Sequence, residues 1–224
     1  GMEWNGMETT QMESGELADL LKSNKPKILF FDEARKGDVL AAVKISGWRP
    51  QRLVVIDGAD DGTVISFVDY VDGSTAEEPA FTCEYNIYDE TTRLFTSGTT
   101  GHAKAVPLTS INEVLSSHDV MIHFPMSYKD VTMNTTPWFH RGGLHCAGPC
   151  PTFYAGAALV VMRKFDAGLT LKYVDRYKIT FVIGVPTVLE RLADEQEAKG
   201  YDISTLHGIV TMGSPLERSA CIPS

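Results

Sequence analysis

The sequence contains few cysteines and no Cys-x-x-Cys pair. The four cysteines are Cys83, Cys146, Cys150 and Cys221, and eight methionines accompany them. This spacing builds neither a disulfide scaffold nor a zinc ribbon. Such usage is typical of a reducing compartment, so we predict a cytoplasmic location.

Long apolar runs are also absent. The run "AALVVM" at 157–162 is among the longest, and a membrane-spanning helix needs about 20 apolar residues. The N-terminal segment "GMEWNGMETT" has neither a basic stretch nor an apolar stretch, so we expect no signal peptide.

Basic residues are in deficit. The chain has 20 Lys and Arg residues against 29 Asp and Glu residues, which gives a net charge of −9. A negative field of this kind repels nucleic acid and anionic lipid. We therefore expect neither nucleic acid nor a membrane as a partner, and any anionic ligand must be held by local geometry.

Segments with the pattern of strands alternate with segments with the pattern of helices along the 224 residues. This alternation predicts an α/β fold with parallel or mixed sheets flanked by helices. We predict helices at 14–23, with Ser14 as N-cap, and at 37–46, 109–124, 166–178 and 186–199. We predict strands at 27–31, 52–56, 131–137, 156–162, 180–185 and 207–213.

The division of the chain is predicted from composition. Residues 1–13 are polar and rich in methionine, and we expect them to be disordered. The acidic, loop-like segment 72–90 marks a seam. We therefore predict an α/β subdomain at 14–90 and a second one at 91–224, which opens with a glycine-rich loop.

That loop, "TSGTTGHAKAV" at 96–106, follows a strand-like "RLF". Small residues let backbone N–H groups point inward, hydroxyls donate to phosphate oxygens, and a lysine supplies a positive charge. A Walker loop is excluded because two residues, not four, separate the glycines and alanine follows the lysine. A simple Ser/Thr/Gly turn is the competing interpretation. The candidate phosphate-binding residues are Thr96, Ser97, Gly98, Thr99, Thr100, Gly101 and Lys104.

The order "FTSGTTGHAKAVPLT" resembles the phosphate-binding signature of the adenylate-forming enzymes. These include acyl-CoA synthetases, nonribosomal-peptide adenylation domains and firefly-luciferase-like proteins. The match covers 95–101, Lys104 and 108–109, whereas Ala103, Ala105 and Ser110 stand where proline, glycine and histidine are usual in the family.

Other segments resemble the same family, so the similarity runs from about Leu17 to Leu216. The resemblance implies part of an adenylation-domain core. It assigns a substrate pocket to "PWFH" at 137–140 and "GVP" at 184–186, and an adenine-side turn to "MGSP" at 212–215. The pocket residues are Trp138, Phe139, His140, Gly184, Val185 and Pro186, and the adenine-side residues are Met212, Gly213, Ser214 and Pro215.

The family resemblance implies ATP, Mg²⁺ and a carboxylic acid as ligands. It leaves coenzyme A, a carrier protein and oxygen open as the acceptor, and coenzyme A is preferred because "PWFH" resembles the segment of the coenzyme A ligases. We predict a truncated acyl-CoA synthetase-like ligase of the kind found in fatty acid metabolism, which adenylates an acid and then forms a thioester. No Tyr-Gly-x-Thr-Glu motif and no lid with its lysine follow in the sequence, so no catalytic residue is assigned. The alternative is a non-catalytic folded remnant or self-associating fragment. We expect a homo-oligomer through surfaces exposed by truncation.

Two histidines and two cysteines lie close together at 140–150. The spacing of His140, His145, Cys146 and Cys150 matches no common zinc motif, so no metal site is predicted. Adjacency of His145 and Cys146 does not indicate a cysteine nucleophile. For His140, the alternative to a pocket role is an aromatic cluster of Trp138, Phe139 and Phe153.

We predict that Lys104→Ala weakens binding of ATP and of pyrophosphate by roughly tenfold or more, since a hydrogen bond to a charged group contributes about 1.5–3 kcal/mol. The melting temperature should stay nearly unchanged. Calorimetric titration and thermal melting check both statements. An unfolded variant would instead identify Lys104 as a structural ion-pair partner.

Overall fold

A computed structural model describes residues 4–6, 12–77, 84, 86–96 and 104–215, with side chains from residue 12 onward. The chain divides into two compact units. The smaller unit comprises Met7–Glu84 and Thr96–Lys104, and the larger unit comprises Gly1–Gly6, Tyr85–Phe95 and Ala105–Ser224. Both combine parallel sheets with helices, so the predicted α/β class is confirmed.

The smaller unit is built on a three-stranded parallel sheet. Its strands are β2 (Ile28–Phe31), β3 (Arg52–Val55) and β4 (Ile65–Ser66), in that spatial order. Its helices are α1 (Ser14–Asn24), α2 (Lys36–Ser46) and α3 (Phe67–Asp72), and a 3₁₀ turn at Glu33–Arg35 precedes α2.

Helices α1 and α2 pack together and close the core of the smaller unit. Leu17 and Leu21 of α1 recur at helical spacing and are both 1% exposed. They join Val39 and Ala42 of α2 and Val55 of β3 in one apolar cluster. Each helix therefore buries one apolar stripe against its neighbours.

The larger unit contains two sheets. One has the order β1-β5-β6, with β1 (Trp4–Gly6) parallel to β5 (Glu90–Thr96) and β6 at Lys104–Thr109. The other has the order β10-β9-β7-β8, in which every pairing is parallel. Its strands are β7 (Val131–Asn134), β8 (Ala158–Leu159), β9 (Phe181–Gly184) and β10 (Gly208–Thr211).

The helices of the larger unit are α4 (Ser110–His123), α5 (Arg141–His145), α6 (Pro149–Tyr154), α7 (Ala167–Tyr177) and α8 (Pro186–Lys199). Their ends follow local chemistry. Asp166 caps α7 by accepting from the Leu169 N–H at 2.7 Å. Pro186 occupies the first turn of α8, where its missing N–H costs nothing.

The core of the larger unit lies against the four-stranded sheet. All four residues of β9 are buried, as expected for a strand with a neighbour on each side. Met133, Leu171, Val174, Ile179 and Val182 form one apolar cluster. A second cluster includes Phe181, Ile183 and Val210, so the sheet carries packed side chains from alternate positions of β9.

The structure corrects the predicted start of the first helix. We predict Ser14 as N-cap, but Ser14 is the first helical residue and Glu13 is the N-cap. The Glu13 N–H donates to the Glu16 carboxylate at 3.3 Å, so an acidic side chain in the first turn satisfies an open backbone donor.

The predicted strand at 156–162 is too long, since β8 contains only Ala158 and Leu159. It is an edge strand whose register with β7 consists of the pairs Val131↔Ala158 and Thr132↔Leu159. Val161 beyond it is 59% exposed. An apolar run that leaves the ladder after two residue pairs does not continue as a strand.

Helices α5 and α6 are missing from the sequence prediction because "RGGLHCAGPCPTFY" has no helical periodicity. The corner between them is tight: Ala147 has φ of 48°, and a Cβ on Gly148 would collide with the Gly143 carbonyl oxygen. Glycine at 148 is required because no side chain fits beneath that carbonyl.

The predicted boundaries 1–13, 14–90 and 91–224 stay a prediction. Within 1–13, the backbone of Trp4–Gly6 forms β1, and residues 1–3 and 7–11 lie outside the described residues. Among the residues described, no helix combines the length and apolar character needed to cross a bilayer.

A buried aspartate ties together the amino ends of three strands of the larger sheet. Asp130, 6% exposed, precedes β7 and accepts from the Ser127 N–H at 2.7 Å and from the Thr180 hydroxyl at 2.8 Å. His207, which precedes β10, lies 3.1 Å from the same carboxylate. Burial alone would raise the pKa of Asp130, but the hydrogen bonds from Ser127 and Thr180 outweigh it and lower the pKa.

We predict that Asp130→Asn lowers the free energy of unfolding by about 1–3 kcal/mol at neutral pH, because an amide cannot accept every bond that the carboxylate accepts. Since the folded pKa is lowered, the stabilisation is present above the unfolded pKa of about 3.9 and is lost as pH falls through the folded pKa. Urea denaturation of the wild type and of Asp130→Asn measures this loss. The difference between their free energies of unfolding should be smaller at acidic pH than at neutral pH.

The matched control is Asp119→Asn, whose side chain is 74% exposed on α4. It should leave the urea midpoint unchanged at neutral pH. A difference for Asp130→Asn that persists unchanged at acidic pH would show that the carboxylate charge does not stabilise the strand ends.

Candidate functional site

The carboxyl ends of β7, β9 and β10 form the candidate site. These strands are parallel neighbours in the order β10-β9-β7, so their carboxyl ends meet at one edge of the sheet. In open α/β sheets, ligands bind at this edge because the loops that follow the strands line a crevice there. Most of the sequence-predicted pocket and adenine-side residues follow these three ends.

The chain that leaves β7 is fastened to β9. The Thr135 N–H and hydroxyl both donate to the Ile183 carbonyl, at 2.9 and 2.8 Å. The Thr136 N–H donates to the Asn134 side-chain oxygen at 2.8 Å. These bonds position the segment 135–140 beside the end of β9.

Asn134 is the anchor of the next turn. It is 8% exposed, and its amide nitrogen donates to the carbonyls of Gly143 at 3.2 Å and Cys146 at 2.9 Å. A Cβ on Gly143 would collide with the Pro137 carbonyl oxygen, so glycine is required at this close approach. One buried amide therefore holds α5 against the end of β7.

The aromatic segment 138–140, predicted as part of a substrate pocket, lies in the chain between Thr135, which bonds to β9, and α5, which Asn134 holds. Trp138 and Phe139 are half-buried, and His140 is exposed as the N-cap of α5. The Phe139 and His140 rings are 4.3 Å apart between centroids. Phe153, offered as part of an alternative aromatic cluster, is 67% exposed, and no ring contact joins it to Trp138 or Phe139 among the described side chains.

The turn at the end of β9 is closely packed. Gly184 is buried, and a Cβ there would lie 2.8 Å from the Thr135 hydroxyl and 3.1 Å from Val188 Cγ1. Val185 is the N-cap of α8 and Pro186 its first residue. The Gly-Val-Pro turn thus brings backbone, rather than side chains, to the edge of the sheet.

The turn at the end of β10 holds the predicted adenine-side residues. Gly213 has φ of 86°, a left-handed conformation that favours glycine, and a Cβ there would lie 3.8 Å from Val185 Cγ1. Met212 is half-buried, with its sulfur 2.5 Å from the place of a Cβ on Gly142. Ser214 and Pro215 are exposed. The structure therefore brings the β9 and β10 turns and α5 together.

Two hydroxyls at this edge were missed by sequence analysis. Thr136 Oγ1 and Thr211 Oγ1 are buried and make no hydrogen bond to any part of the chain that the structure describes. Buried polar atoms are nearly always paired, so such groups are typical of a place where a ligand or water donates or accepts. Hydroxyl residues directly after an apolar strand run are the sequence signal that could have found them.

The predicted phosphate loop falls mostly outside the described residues. Ser97, Gly98, Thr99, Thr100 and Gly101 are not described, and the structure shows only the flanks of the loop. Thr96 ends β5 and Lys104 begins β6, and both are exposed. Lys104 makes no ion pair with the residues that are described.

The histidine and cysteine segment 140–150 includes two half-buried thiols. Burial raises the pKa of Cys146. Burial and the adjacent Glu113 carboxylate raise the pKa of Cys150 to about 12. A thiol nucleophile needs a lowered pKa, so neither cysteine fits that role on its own.

Comparison with known proteins identifies the family. The profile of the AMP-binding enzymes matches residues 9–222. The chain belongs to the AMP-binding enzyme family, which confirms the resemblance seen in the sequence.

Relatives and solved structures agree with this assignment. A feruloyl-CoA synthase from an Amycolatopsis species is 28% identical over 125 residues, which cover 55% of this chain and 25% of that protein. A 4-coumarate-CoA ligase from Narcissus pseudonarcissus is 29% identical over 173 residues, which cover 74% of this chain and 31% of that protein. The chain thus spans less than a third of the length of either relative.

The structure of the anthranilate CoA ligase AuaEII in complex with anthranoyl-AMP has the same fold. It superposes with a TM-score of 0.85 at 19% identity, over 96% of this chain and 41% of that one. At this identity, the similarity concerns the fold alone.

We predict that Asn134→Asp destabilises the larger unit by roughly 2 kcal/mol or more, because a carboxylate would face backbone carbonyls and leave them without a donor. Hydrogen exchange of peptides from 136–146 should accelerate with it. Urea denaturation and exchange mass spectrometry measure the two effects.

Asn86→Asp is the matched control. Asn86 is exposed and accepts from the Tyr88 N–H at 2.9 Å, a role that aspartate keeps. Equal exchange in 136–146 for the two variants would contradict the anchoring role of Asn134.

Proposed function

We propose that this chain is the phosphate-binding and acid-binding part of an ATP-dependent acid–thiol ligase of the acyl-CoA synthetase type. The observation that carries the proposal is that segments resembling the family's pocket and adenine side follow three neighbouring strands of one parallel sheet. The match of the AMP-binding enzyme profile over 9–222 supports it.

The proposed reaction has two halves. A carboxylate oxygen of the acid attacks the α-phosphorus of ATP, and the bond to pyrophosphate breaks. The thiol sulfur of the acceptor, which we take to be coenzyme A, then attacks the acyl carbonyl carbon and AMP leaves. Both halves need charge on the phosphates to be balanced and the two substrates to be aligned.

Residues of this chain would divide this work. The loop from Thr96 to Lys104 would hold the β- and γ-phosphates through hydroxyls, backbone N–H groups and the lysine charge. Val185, Gly213 and the aromatic segment 138–140 would hold the acyl and nucleoside groups of the adenylate. The buried hydroxyls of Thr136 and Thr211 lack partners among the described residues, so they are positioned to bind polar atoms of that ligand.

The segments that follow β7, β9 and β10 provide no carboxylate ligand for Mg²⁺. The segments 135–140, 185–187 and 212–215 contain hydroxyls, one imidazole and backbone carbonyls but no carboxylate, and Mg²⁺ prefers carboxylate and phosphate oxygens. Mg²⁺ would therefore enter the site as part of the MgATP substrate.

A second hypothesis is a non-catalytic, self-associating module. It is favoured by apolar side chains exposed on the smaller unit, including Ile28 at 38%, Phe30 at 45% and Val68 at 63%. Exposed apolar patches promote association, so a homo-oligomer stays part of this hypothesis. The cytoplasmic location predicted from cysteine usage applies to both hypotheses.

Binding of an adenylate mimic tests the proposed function. The purified chain is titrated by calorimetry with MgATP and with acyl-sulfamoyl-adenosines that carry aromatic or long aliphatic acyl groups. We expect saturable binding of at least one mimic, weakened about tenfold by His140→Ala, since one lost contact is worth about 1–1.5 kcal/mol. MgATP affinity should change by less than about twofold in the same variant.

Two controls match the variants by residue type. His123→Ala removes an exposed imidazole of α4, and Lys199→Ala removes an exposed lysine of α8 as a control for Lys104→Ala. Neither should alter binding of either ligand. Absence of heat with MgATP and with every mimic would refute the proposal and leave the non-catalytic module.

A further inference from the structure

A partly buried cluster of three metal-ligating side chains lies in the larger unit, and none belongs to the three strand-end segments. Glu113 comes from α4, His145 from α5 and Cys150 from α6. Their ligand atoms lie within 4.8 Å of one another. His145 is 2% exposed, and Leu94, Leu108 and Leu144 pack as an apolar cluster that Cys150 joins.

The His145 ring lies between two hydrogen-bond acceptors. His145 Nε2 lies 2.5 Å from Glu113 Oε2, and His145 Nδ1 lies 3.3 Å from the Arg141 carbonyl oxygen. Both ring nitrogens thus face acceptors, whereas a neutral imidazole carries only one N–H. A second ring proton, a proton on the Glu113 carboxyl group or a bound cation would supply the missing donor or charge.

The carboxylate has spare capacity. Cys150 Sγ lies 3.5 Å from Glu113 Oε2. Glu113 Oε1 is buried and makes no hydrogen bond of good geometry with any of the described residues. Burial alone would raise the pKa of Glu113, but hydrogen bonding from His145 and from the nearby Thr92 hydroxyl outweighs it and lowers the pKa. A buried carboxylate oxygen without a partner is costly, and a cation bound there would satisfy it.

We propose that Glu113, His145 and Cys150 bind one divalent transition-metal ion, and that Zn²⁺ is the ion they suit. Zinc accepts one imidazole nitrogen, one carboxylate oxygen and one thiolate sulfur in the same tetrahedral site. Glu113 Oε1 or a water molecule takes the fourth position. The Arg141 carbonyl supplies the second partner of the imidazole, as backbone carbonyls do for metal-bound histidines.

One ligand separation already matches that of a filled site, and the Nε2–Sγ separation is within 4.8 Å. Zinc bonds of about 2.0–2.3 Å place tetrahedral ligand atoms about 3.3–3.7 Å apart. The Sγ–Oε2 separation of 3.5 Å already fits. The Nε2–Oε2 pair, at 2.5 Å, would open by about 1 Å as the ion replaces the proton between the two atoms.

Charge favours the exchange of protons for a cation. Burial and the carboxylate of Glu113 keep Cys150 protonated in the metal-free cluster. A divalent ion reverses the sign of the local field, so the thiol ionises and its proton passes to solvent as the sulfur–metal bond forms. The bound ion would link α4, α5 and α6, and α5 begins directly after His140.

The test uses the purified wild-type chain after removal of metals with a chelator. Zn²⁺ is added against a competing chromophoric chelator, and Co²⁺ is added separately as a spectroscopic probe. We expect one equivalent of Zn²⁺ to bind with release of the Cys150 proton, and Co²⁺ to show a thiolate charge-transfer band. Failure of the wild type to bind Zn²⁺ overturns the proposal whatever the variants do.

Substitutions assign the ligands. Cys150→Ser, His145→Gln and Glu113→Gln should each weaken the apparent Zn²⁺ affinity by about 100-fold or more, since loss of an outer partner alone costs 10–100-fold. Cys146→Ser is the matched control, because Cys146 is a half-buried thiol outside the cluster. It should keep both the affinity and the Co²⁺ band. Loss of the band in Cys146→Ser with its retention in Cys150→Ser would overturn the assignment.

Discussion

Parallel pairing of β7, β9 and β10 is the constraint on which the larger unit depends. The registers Thr132↔Phe181 and Gly208↔Phe181 place the start of β9 between its two neighbours. Because the strands run the same way, their amino ends meet at one edge and their carboxyl ends at the other. At the edge of the amino ends, the Thr180 hydroxyl donates to the Asp130 carboxylate. At the edge of the carboxyl ends, the Thr135 hydroxyl donates to the Ile183 carbonyl. The segments beside the ends of β7 and β9 are positioned by these bonds.

The buried polar groups of this unit include two contrasting kinds. Asp130 and Asn134 are fully engaged with backbone and side-chain partners, and they hold strands and turns in place. Thr136 and Thr211 expose no surface at their hydroxyl oxygens and still make no bond among the described residues. The first kind stabilises the fold, since removal would leave partners unpaired. The second kind has no partner among the described residues, so it contributes no such stabilisation.

The cluster of Glu113, His145 and Cys150 belongs to neither kind. Its groups are mutually engaged, but with Glu113 ionised and His145 neutral they provide one donor too few for the contacts that His145 makes. A proton or a metal ion resolves the mismatch, and the thiol makes a metal ion chemically apt. Either way, α4, α5 and α6 meet at the Glu113 carboxylate.

The sequence by itself determined the elements with strong periodicity and the family. Helix α8 was predicted with both ends correct, because Pro186 marks its start and apolar residues recur at helical spacing. Residue order alone carried the resemblance that the profile match over 9–222 confirms.

Only the tertiary structure decided the rest. Helices α5 and α6 form without periodicity because Asn134 and a tight glycine corner hold them. Glu113 lies 32 residues from His145 in sequence, so no local pattern predicts their contact. Packing of separate helices creates such contacts, and sequence spacing does not encode that packing.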